Sequence, residues 1–167
     1  IVNDKAFDRL EGYLKDGRIT FGGHTDRDDR YFEPTVLDGV SPDAPVMREE
    51  IFGPIFPVQT FKDIDEVISF VTSREKPLAL YYFGSRGDYV LRHTSSGGAC
   101  INDTIMHIAN ENIPFGGVGN SGLGSYHHKR SFDAFTHYRA VVTTPTWLDL
   151  PFRYMPYKFF KAVKRLL

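Results

Sequence analysis

Residues 55–83, IFPVQTFKDIDEVISFVTSREKPLALYYF, decide the fold class of this chain. Ile55 to Phe61 predicts a strand, and Asp63 with Glu66 forms the capping-box pattern of a helix N-terminus. Apolar residues then recur at helical spacing at positions 64, 67, 68 and 71. Leu78 to Phe83 is a short, continuous apolar run, which is typical of a strand buried on both faces of a parallel sheet. The order strand, helix, strand predicts an α/β fold with parallel pairing.

The segments before this stretch supply further elements. Ile1 to Gly17 predicts a helix with Asn3 or Asp4 as its cap, because apolar residues follow at helical spacing and a glycine ends the pattern. Arg18 to Phe21 predicts a short strand, and Tyr31 to Val40 predicts an extended segment.

The segments after it continue the alternation. Ser85 is placed to cap a helix that runs to His93, and Ala99 to Ile101 predicts another strand. The long stretch Asn102 to Gly124 is typical of a loop, and a loop of that length in a compact domain indicates function. The last two predicted elements are a helix at Ser125 to His137 and a strand at Arg139 to Thr144.

The composition favours a globular protein whose partner is a small molecule or another protein. The chain has 167 residues, of which 41% are hydrophobic and 25% charged, so it can bury a core. A net charge of -1 and a pI near 6.7 argue against binding of nucleic acid, which normally requires a basic excess. One cysteine excludes an internal disulfide, and no signal peptide or long apolar run is visible, which favours a cytoplasmic location. The six histidines and one cysteine form no metal-ligand pattern, so no metal site is predicted.

The most specific binding signal is MREEIFGP at residues 47–54. It places two carboxylates beside an aromatic ring and then restricts the backbone with Gly-Pro. Glu49 and Glu50 can accept hydrogen bonds from a polyhydroxyl ligand, while Ile51, Phe52 and Ile55 can anchor the segment. Outside such a motif, Glu50 would more simply be a capping or surface residue.

Residues 49–54 resemble the EEIFGP segment of aldehyde dehydrogenases. The resemblance implies that Glu50 accepts hydrogen bonds from the nicotinamide ribose and that Phe52 helps to place the nicotinamide ring. It also implies NAD or NADP as the cofactor, and an aldehyde substrate that this oxidoreductase family converts to a carboxylic acid. Glu49 is then expected to be a solvated or salt-bridged neighbour.

A second motif is PFGGVGNSGLG at residues 114–124, whose last nine residues include five glycines. Glycines permit a tight loop close to a ligand or another strand. Residues 117–122 fit the dinucleotide fingerprint, but Pro114 stands before them where a buried strand is required. Ser121 also lacks the surroundings of a nucleophile elbow. The motif resembles the PFGGxGxSGxG segment of aldehyde dehydrogenases, which implies that Phe115 lines the substrate pocket.

The segment between these motifs allows two interpretations. Asn102 and Asp103 suit an Asx turn that follows a strand, which is the simpler one. Alternatively, Met106, His107 and Ile108 line a substrate channel.

Cys100 is interpreted as a structural residue. It lies among small residues of a predicted strand, with no neighbouring base expected, so it acts as a small hydrophobe. The resemblance places the family's catalytic cysteine, general-base glutamate and oxyanion-stabilising asparagine in motifs ahead of the region that this chain covers. We therefore predict no catalytic residue in the chain and no activity of the chain alone.

Residues 125–133, SYHHKRSFD, and the His137 region are most similar to the fatty-aldehyde, class 3 branch. The resemblance implies long-chain or aromatic aldehydes as substrates. It divides the chain into the C-terminal part of a catalytic domain (residues 1–137), an oligomerisation strand (138–146) and a C-terminal arm with a basic amphipathic helix (147–167). A homodimer through Arg139 to Thr144 is expected, and Tyr157 to Leu167 is either a docking helix or a contact with a membrane surface. The alternatives from other classes are a non-catalytic assembly module and a membrane-surface adaptor.

Overall fold

A computed structural model shows a mixed α/β chain, which confirms the predicted fold class. It describes residues 1–149, 154–157 and 159–165. The strands are β1 (Arg18–Phe21), β2 (Thr25–Asp26), β3 (Tyr31–Phe32), β4 (Thr35–Asp38), β5 (Ile55–Val58), β6 (Ala79–Tyr82) and β7 (Gly98–Ile101). The helices are α1 (Asp4–Tyr13), α2 (Ile64–Thr72), α3 (Gly87–His93), α4 (Met106–Ala109), α5 (His128–Ala134) and α6 (Phe160–Val163), with 3-10 turns at Pro45–Met47 and Gly119–Ser121.

Helix α1 covers the main core. Asn3 is its cap, as predicted, because the side-chain oxygen accepts a hydrogen bond of 2.8 Å from the backbone N–H of Ala6. The cap starts the helix later than the predicted range, which began at the first residue. Phe7, Leu10 and Tyr13 form its buried face. The buried residues packed with them come from the strands and from the turn before the 47–54 motif: Phe32, Leu37, Val40, Val46 and Ile55.

A three-stranded sheet with the order β1-β4-β5 carries this core. β1 pairs with β4 in the antiparallel direction, whereas β4 and β5 are parallel, with Thr35 opposite Ile55 and Asp38 opposite Val58. The extended segment predicted at Tyr31 to Val40 is divided into β3 and β4 at Pro34, which lacks a backbone N–H. Because β5 follows the 47–54 motif directly, the sheet fixes the downstream end of that motif.

Helix α2 has the predicted start. The Asp63 carboxylate accepts hydrogen bonds from the backbone N–H groups of Asp65 and Glu66, at 2.9 and 3.0 Å. The Glu66 carboxylate reaches back to the backbone N–H of Lys62 at 3.0 Å, one residue before the usual capping-box partner. Local sequence is therefore sufficient to define this helix.

The predicted parallel pairing also occurs between β6 and β7, which form a separate two-stranded sheet and are connected along the chain through α3. Burial of β6 on both faces was a wrong prediction, since Tyr81 is 38% exposed. In a two-stranded sheet both strands are edge strands. The rest of the chain therefore does not cover both faces of β6. The prediction that Ser85 caps α3 is also wrong, because Arg86 stands at the N-cap and no side-chain cap forms there.

The C-terminal predictions have mixed outcomes. Helix α5 is shorter than the predicted Ser125 to His137. Residues 139–144 lie in no strand, because they have no backbone partner within the described residues, and Val141 and Val142 are exposed. Of the predicted helix from Tyr157 to Leu167, only α6 is seen, while residues 158, 166 and 167 lie outside the described part. Across residues 1–149, 154–157 and 159–165, no helix combines the length and the apolar character needed to cross a bilayer.

Candidate functional site

The backbone of the 47–54 motif is held by helix α1. Arg9 donates a hydrogen bond of 2.7 Å from Nη2 to the carbonyl of Ile51, and a longer one of 3.4 Å from Nη1 to the carbonyl of Glu50. Nη1 also donates to the Tyr13 hydroxyl at 3.0 Å. A guanidinium that bonds two successive carbonyls restricts the orientation of the peptide between them. The motif is therefore preorganised by a helix about forty residues earlier in the chain.

Gly53 allows the motif to approach α1 closely. A Cβ atom at this position would lie 2.5 Å from Cδ2 of Leu10, well inside van der Waals contact. Phe52, just before it, has a φ of 48°, a left-handed conformation that non-glycine residues rarely adopt. After the motif turns, Pro54 accepts a hydrogen bond of 2.8 Å from the backbone N–H of Thr35, at the start of β4. These contacts fix the segment at both ends.

The two glutamates of the motif differ in their partners. The Glu49 carboxylate accepts a hydrogen bond of 3.3 Å from the Tyr13 hydroxyl, so it is tied to α1. Glu49 is also exposed, in line with the solvated alternative of the expectation. No donor within the described part of the chain bonds the Glu50 carboxylate, and Glu50 is exposed. Glu50 thus keeps its oxygen lone pairs available for a ligand.

Both motifs face one open cleft of about 1020 Å³. Residues 47–50 and residues 73–79 line it, together with Tyr81, Ile108 and Phe115 and with Asn120 and Ser121 of the glycine-rich loop. The carboxylates of residues 49 and 50 and the aromatic rings of Tyr81 and Phe115 therefore share a single space. A cleft with this mixture suits a ligand that has both a polyhydroxyl and an apolar part.

The position of Phe115 is fixed by backbone pairing and by stacked rings. Its N–H and carbonyl exchange hydrogen bonds of 3.1 and 2.9 Å with Tyr126, in an isolated antiparallel bridge that closes the glycine-rich loop. The ring contacts Tyr126 edge to face at 5.5 Å between centroids, and it stacks with His127 at 6.0 Å and lies 5.8 Å from His107. Edge-to-face and stacked contacts restrict the ring.

The glycines of the loop are required by its backbone geometry. A Cβ atom on Gly116 would lie 2.1 Å from the carbonyl oxygen of Gly124, and one on Gly117 would lie 2.1 Å from that of Ser121. The Ser121 hydroxyl accepts a hydrogen bond from the N–H of Val118 and donates one to its carbonyl, both at 2.9 Å. The Ser121 hydroxyl thus stabilises the loop.

The other residues predicted from the sequence lie around the cleft in different ways. Phe52 is 76% exposed and does not line it. Met106 is 56% exposed and also lies outside, whereas Ile108 is part of the lining. His107 is buried behind Phe115. The structure therefore brings Glu50, Ile108 and Phe115 together in the lining of the cleft. Phe52 and Met106 lie outside the lining, and His107 contacts Phe115 without being part of it.

Arg9 and Tyr13 are the residues that the sequence did not reveal. They hold the 47–54 motif from helix α1. The hydrophobic pattern of α1 indicates only which face is buried and which is solvated, and does not indicate contacts with that motif. Their spacing of four residues along α1 is a weak signal, because such pairs are common on helix surfaces. Tyr81 was assigned only to a buried strand, although its side chain lines the cleft.

Cys100 has a base beside it, the imidazole of His107. Its Sγ lies 3.4 Å from Nδ1 of His107, so the absence of a neighbouring base was a wrong prediction. Cys100 is half-buried and is not among the residues that line the cleft. In the part of the chain that the structure describes, no three side chains of His, Cys, Asp or Glu form a group that could hold a metal ion.

Several exposed pairs outside the cleft contain groups with shifted pKa values. Hydrogen bonds from Arg27, Arg18 and Lys129 lower the pKa values of the carboxylates that they contact, which are Asp8, Asp38 and Asp133 respectively. A hydrogen bond donated to Asp65 raises the pKa of Tyr89. These carboxylates stabilise the folded chain above the pKa of their unfolded forms and lose that contribution as the pH falls through the lowered value. None of these groups lines the cleft.

Comparison with known proteins agrees with the motifs. The family model for the aldehyde dehydrogenase family matches residues 1–141. Aldehyde dehydrogenase family 3 member B1 of Homo sapiens is 52% identical over 145 residues, which cover 85% of this chain and 31% of that protein. The dimeric NADP-preferring aldehyde dehydrogenase of Bos taurus is 45% identical over 149 residues, covering 87% of this chain and 62% of that protein.

Among solved structures, the substrate-bound state of Staphylococcus aureus AldH superposes with a TM-score of 0.88 at 47% identity. The match covers 99% of this chain and 38% of that one. The chain therefore spans about a third of the length of most relatives described here, and its match extends across both motifs. The predicted family is confirmed: this chain belongs to the aldehyde dehydrogenase family.

Proposed function

We propose that this chain supplies two parts of an NAD(P)-dependent aldehyde dehydrogenase: the contact with the nicotinamide ribose, and a wall of the aldehyde pocket. The observation that carries the proposal is the shared cleft, in which the unpaired carboxylate of Glu50 and the ring of Phe115 line one space. The cofactor is NAD or NADP, and the name of the Bos taurus relative states a preference for NADP in that protein.

Glu50 is suited to a ribose because a carboxylate offers two oxygens to two neighbouring hydroxyls. Such charge-assisted hydrogen bonds are short and stronger than bonds between neutral groups. Glu49 is less suited, since Tyr13 already donates to it at 3.3 Å. Arg9 donates two hydrogen bonds to the backbone carbonyls of Glu50 and Ile51, so the backbone that carries the Glu50 carboxylate is already ordered before a ligand binds. This reduces the conformational entropy that binding costs.

Phe52 is proposed to contact the nicotinamide ring. Its side chain is 76% exposed, so its apolar surface is uncovered, and its left-handed backbone is held between the Arg9 contacts and Pro54. Backbone strain of this kind persists where the surroundings determine it, and it often marks a ligand contact. When bound, the cofactor accepts a hydride from the substrate.

The substrates are proposed to be long-chain or aromatic aldehydes, which are oxidised to carboxylic acids. Phe115, Ile108 and Tyr81 give their part of the cleft an apolar surface, and Met106 and His107 remain candidates for the surroundings of a longer substrate. Phe115 orients the apolar part of the aldehyde and excludes water near it. Correct placement matters, because an error of about 1 Å can reduce a rate on the order of a hundredfold.

The 167-residue chain is expected to show no aldehyde oxidation by itself. Its single cysteine, Cys100, does not line the cleft that contains Glu50 and Phe115, so no thiol is present there to attack an aldehyde. The measurement is aldehyde-dependent formation of NADH or NADPH by the purified chain, followed by absorbance. Turnover that persists in the Cys100→Ala variant would contradict both this expectation and the proposed division of roles.

A second proposed role is assembly through residues 139–144. Val141 and Val142 are 69% and 89% exposed in a β-branched segment without a backbone partner among the described residues. Such a segment can pair with the same segment of a second copy. The Bos taurus relative is named as dimeric. Contact of residues 157–167 with a membrane surface stays a prediction.

The wild-type chain is expected to be a dimer by size-exclusion chromatography with light scattering, and Val142→Lys is expected to shift it to the monomer. A lysine on an exposed strand edge disfavours pairing through charge repulsion and desolvation. Val2→Lys is the matched control, because Val2 is 81% exposed but lies outside the segment. A wild-type chain that is strictly monomeric at micromolar concentrations would exclude the assembly role.

A further inference from the structure

The thiol of Cys100 and the imidazole of His107 form a pair outside the proposed cleft. Side chains alternate along a strand, so Gly98 and Cys100 lie on the same face of β7, and helix α4 brings His107 onto that face. Sγ lies 3.4 Å from Nδ1, within hydrogen-bonding distance for sulfur. A thiol beside an imidazole has a base that can accept its proton in place.

The imidazole is held firmly. His107 is 8% exposed, and its ring lies 5.7 Å from the Tyr81 ring and 5.8 Å from the Phe115 ring between centroids. Gly98 makes room for it, since a Cβ atom there would lie 2.4 Å from Cδ2 of the histidine. Nε2 is buried and has no hydrogen-bond partner in the described residues. An unpaired buried nitrogen destabilises the fold, so packing alone does not explain this placement.

The backbone before His107 is also strained. Asn102 and Ile105 have φ angles of 57° and 65°, both in the left-handed region. Asparagine tolerates this region, but a β-branched residue such as Ile105 is a genuine outlier. Ile105 immediately precedes α4, so its conformation sets the direction in which the helix carries His107. Strain at Ile105 and an unpaired polar atom on His107, two residues later, point to a functional placement.

We propose that Cys100 is a reactive thiol that α,β-unsaturated aldehydes alkylate, with His107 as its base. The Sγ proton passes to Nδ1 of His107, and Sγ forms a bond to the β-carbon of the unsaturated aldehyde. The π electrons of the carbon–carbon double bond move toward the carbonyl oxygen to give an enolate. The proton then passes from His107 to the α-carbon, so the net change is addition of S–H across the double bond.

The surroundings favour this class of electrophile. A thiolate is a soft nucleophile, and its bond to a conjugated carbon is a stable thioether, whereas a saturated aldehyde forms only a reversible hemithioacetal. Tyr81 and Phe115 flank the histidine, and Tyr81 is the residue opposite Cys100 in the pairing of β6 with β7. Aromatic rings beside the pair disfavour charged reagents, which would lose hydration there, relative to neutral ones. The inference does not require Glu50 or a bound cofactor.

The test is the rate at which acrolein forms a thioether on Cys100 in the 167-residue chain, measured by peptide mapping with mass spectrometry. We expect His107→Gln to slow this reaction roughly tenfold or more, because a positioned base typically contributes at least that much. His93→Gln is the matched control: like His107, His93 lies against a tyrosine ring, but its Nδ1 bonds the backbone carbonyl of Tyr89 and it is exposed on α3, away from Cys100. Its rate is expected to equal that of the wild type.

A second comparison does not depend on how the variants fold. The native chain is expected to react with acrolein faster than the same chain unfolded in concentrated urea, and to show a smaller advantage with the charged reagent iodoacetate. A merely buried thiol would react more slowly in the native chain. That result, or equal rates for His107→Gln and the wild type in folded chains, would overturn the proposal.

Discussion

Replacing Gly117 by alanine is expected to open the glycine-rich loop and release Phe115 from the cleft. The added Cβ atom would lie 2.1 Å from the carbonyl oxygen of Ser121 and 2.2 Å from its carbonyl carbon. These are backbone atoms of the same loop, so no side-chain rotation can relieve the clash. Overpacking typically costs about 1–3 kcal/mol, and we expect the upper end of that range because the backbone itself must move.

Amide hydrogen exchange at Phe115 and Tyr126 measures the local stability of the glycine-rich loop. The N–H groups of Phe115 and Tyr126 form the bridge that closes the loop, with hydrogen bonds of 3.1 and 2.9 Å. In Gly117→Ala, their protection is expected to fall roughly 10- to 100-fold, since each 1.4 kcal/mol of local stability is a factor of about ten. Protection in helix α1 is expected to stay unchanged, because that helix belongs to the main core.

Gly119→Ala is the matched control in the same loop. Gly119 has a φ of 64°, but the nearest atom to an added Cβ is Cδ of Lys76, at 3.8 Å. The expected effect is therefore only the cost of a left-handed alanine, about 1–2 kcal/mol, without a steric clash. If Gly117→Ala left the bridge as well protected as Gly119→Ala does, the loop geometry described above would be incorrect.

The second large effect is expected for Glu50→Gln, which should weaken binding of nicotinamide riboside roughly 10- to 100-fold. Hydrogen bonds to a charged group contribute about 1.5–3 kcal/mol, and glutamine keeps the shape of the side chain but loses the charge and one acceptor. The riboside lacks the adenosine half of the cofactor, so it probes the proposed ribose contact alone. The dissociation constant is measured by a ligand-observed NMR titration of each purified chain.

Glu49→Gln provides the comparison for this variant. Glutamine at position 49 can still accept the hydrogen bond that Tyr13 donates, so the contact with α1 remains and the loop is expected to keep its shape. Its affinity for the riboside is expected to lie within about twofold of the wild type. Equal losses in the two variants would indicate that the net negative charge of the segment, rather than the Glu50 carboxylate, attracts the ligand.

Local sequence signals predicted the parts of the fold that depend on local interactions. The Asn3 and Asp63 caps were predicted because a polar side chain and the first turn of its helix are neighbours in the sequence. Parallel pairing was predicted because strands alternate with a helix. The unpaired segment at 139–144 was predicted as a strand from its β-branched residues, but a strand also requires a partner, and propensity does not supply one.

The sequence motifs of the site could be predicted, but the contacts that position their residues could not. Glu50 and Phe115 stand in recognisable sequences, whereas Arg9 acts on the first motif across 41 and 42 residues. The contact between Cys100 and His107 depends on two left-handed residues between them, and no propensity predicts an isoleucine in that conformation. Residues that position a site from a distance leave no periodic signal in the sequence, and the structure is needed to find them.

The central claim is that the cleft between the two motifs binds the nicotinamide ribose through Glu50. It is tested most directly by adding nicotinamide riboside to the ¹⁵N-labelled chain and mapping the shifted backbone amides. We predict saturable shifts at residues 49–53 and around Phe115, and their loss in Glu50→Gln but not in Glu49→Gln. Shifts that fall outside the cleft, or that persist unchanged in Glu50→Gln, would contradict the assignment.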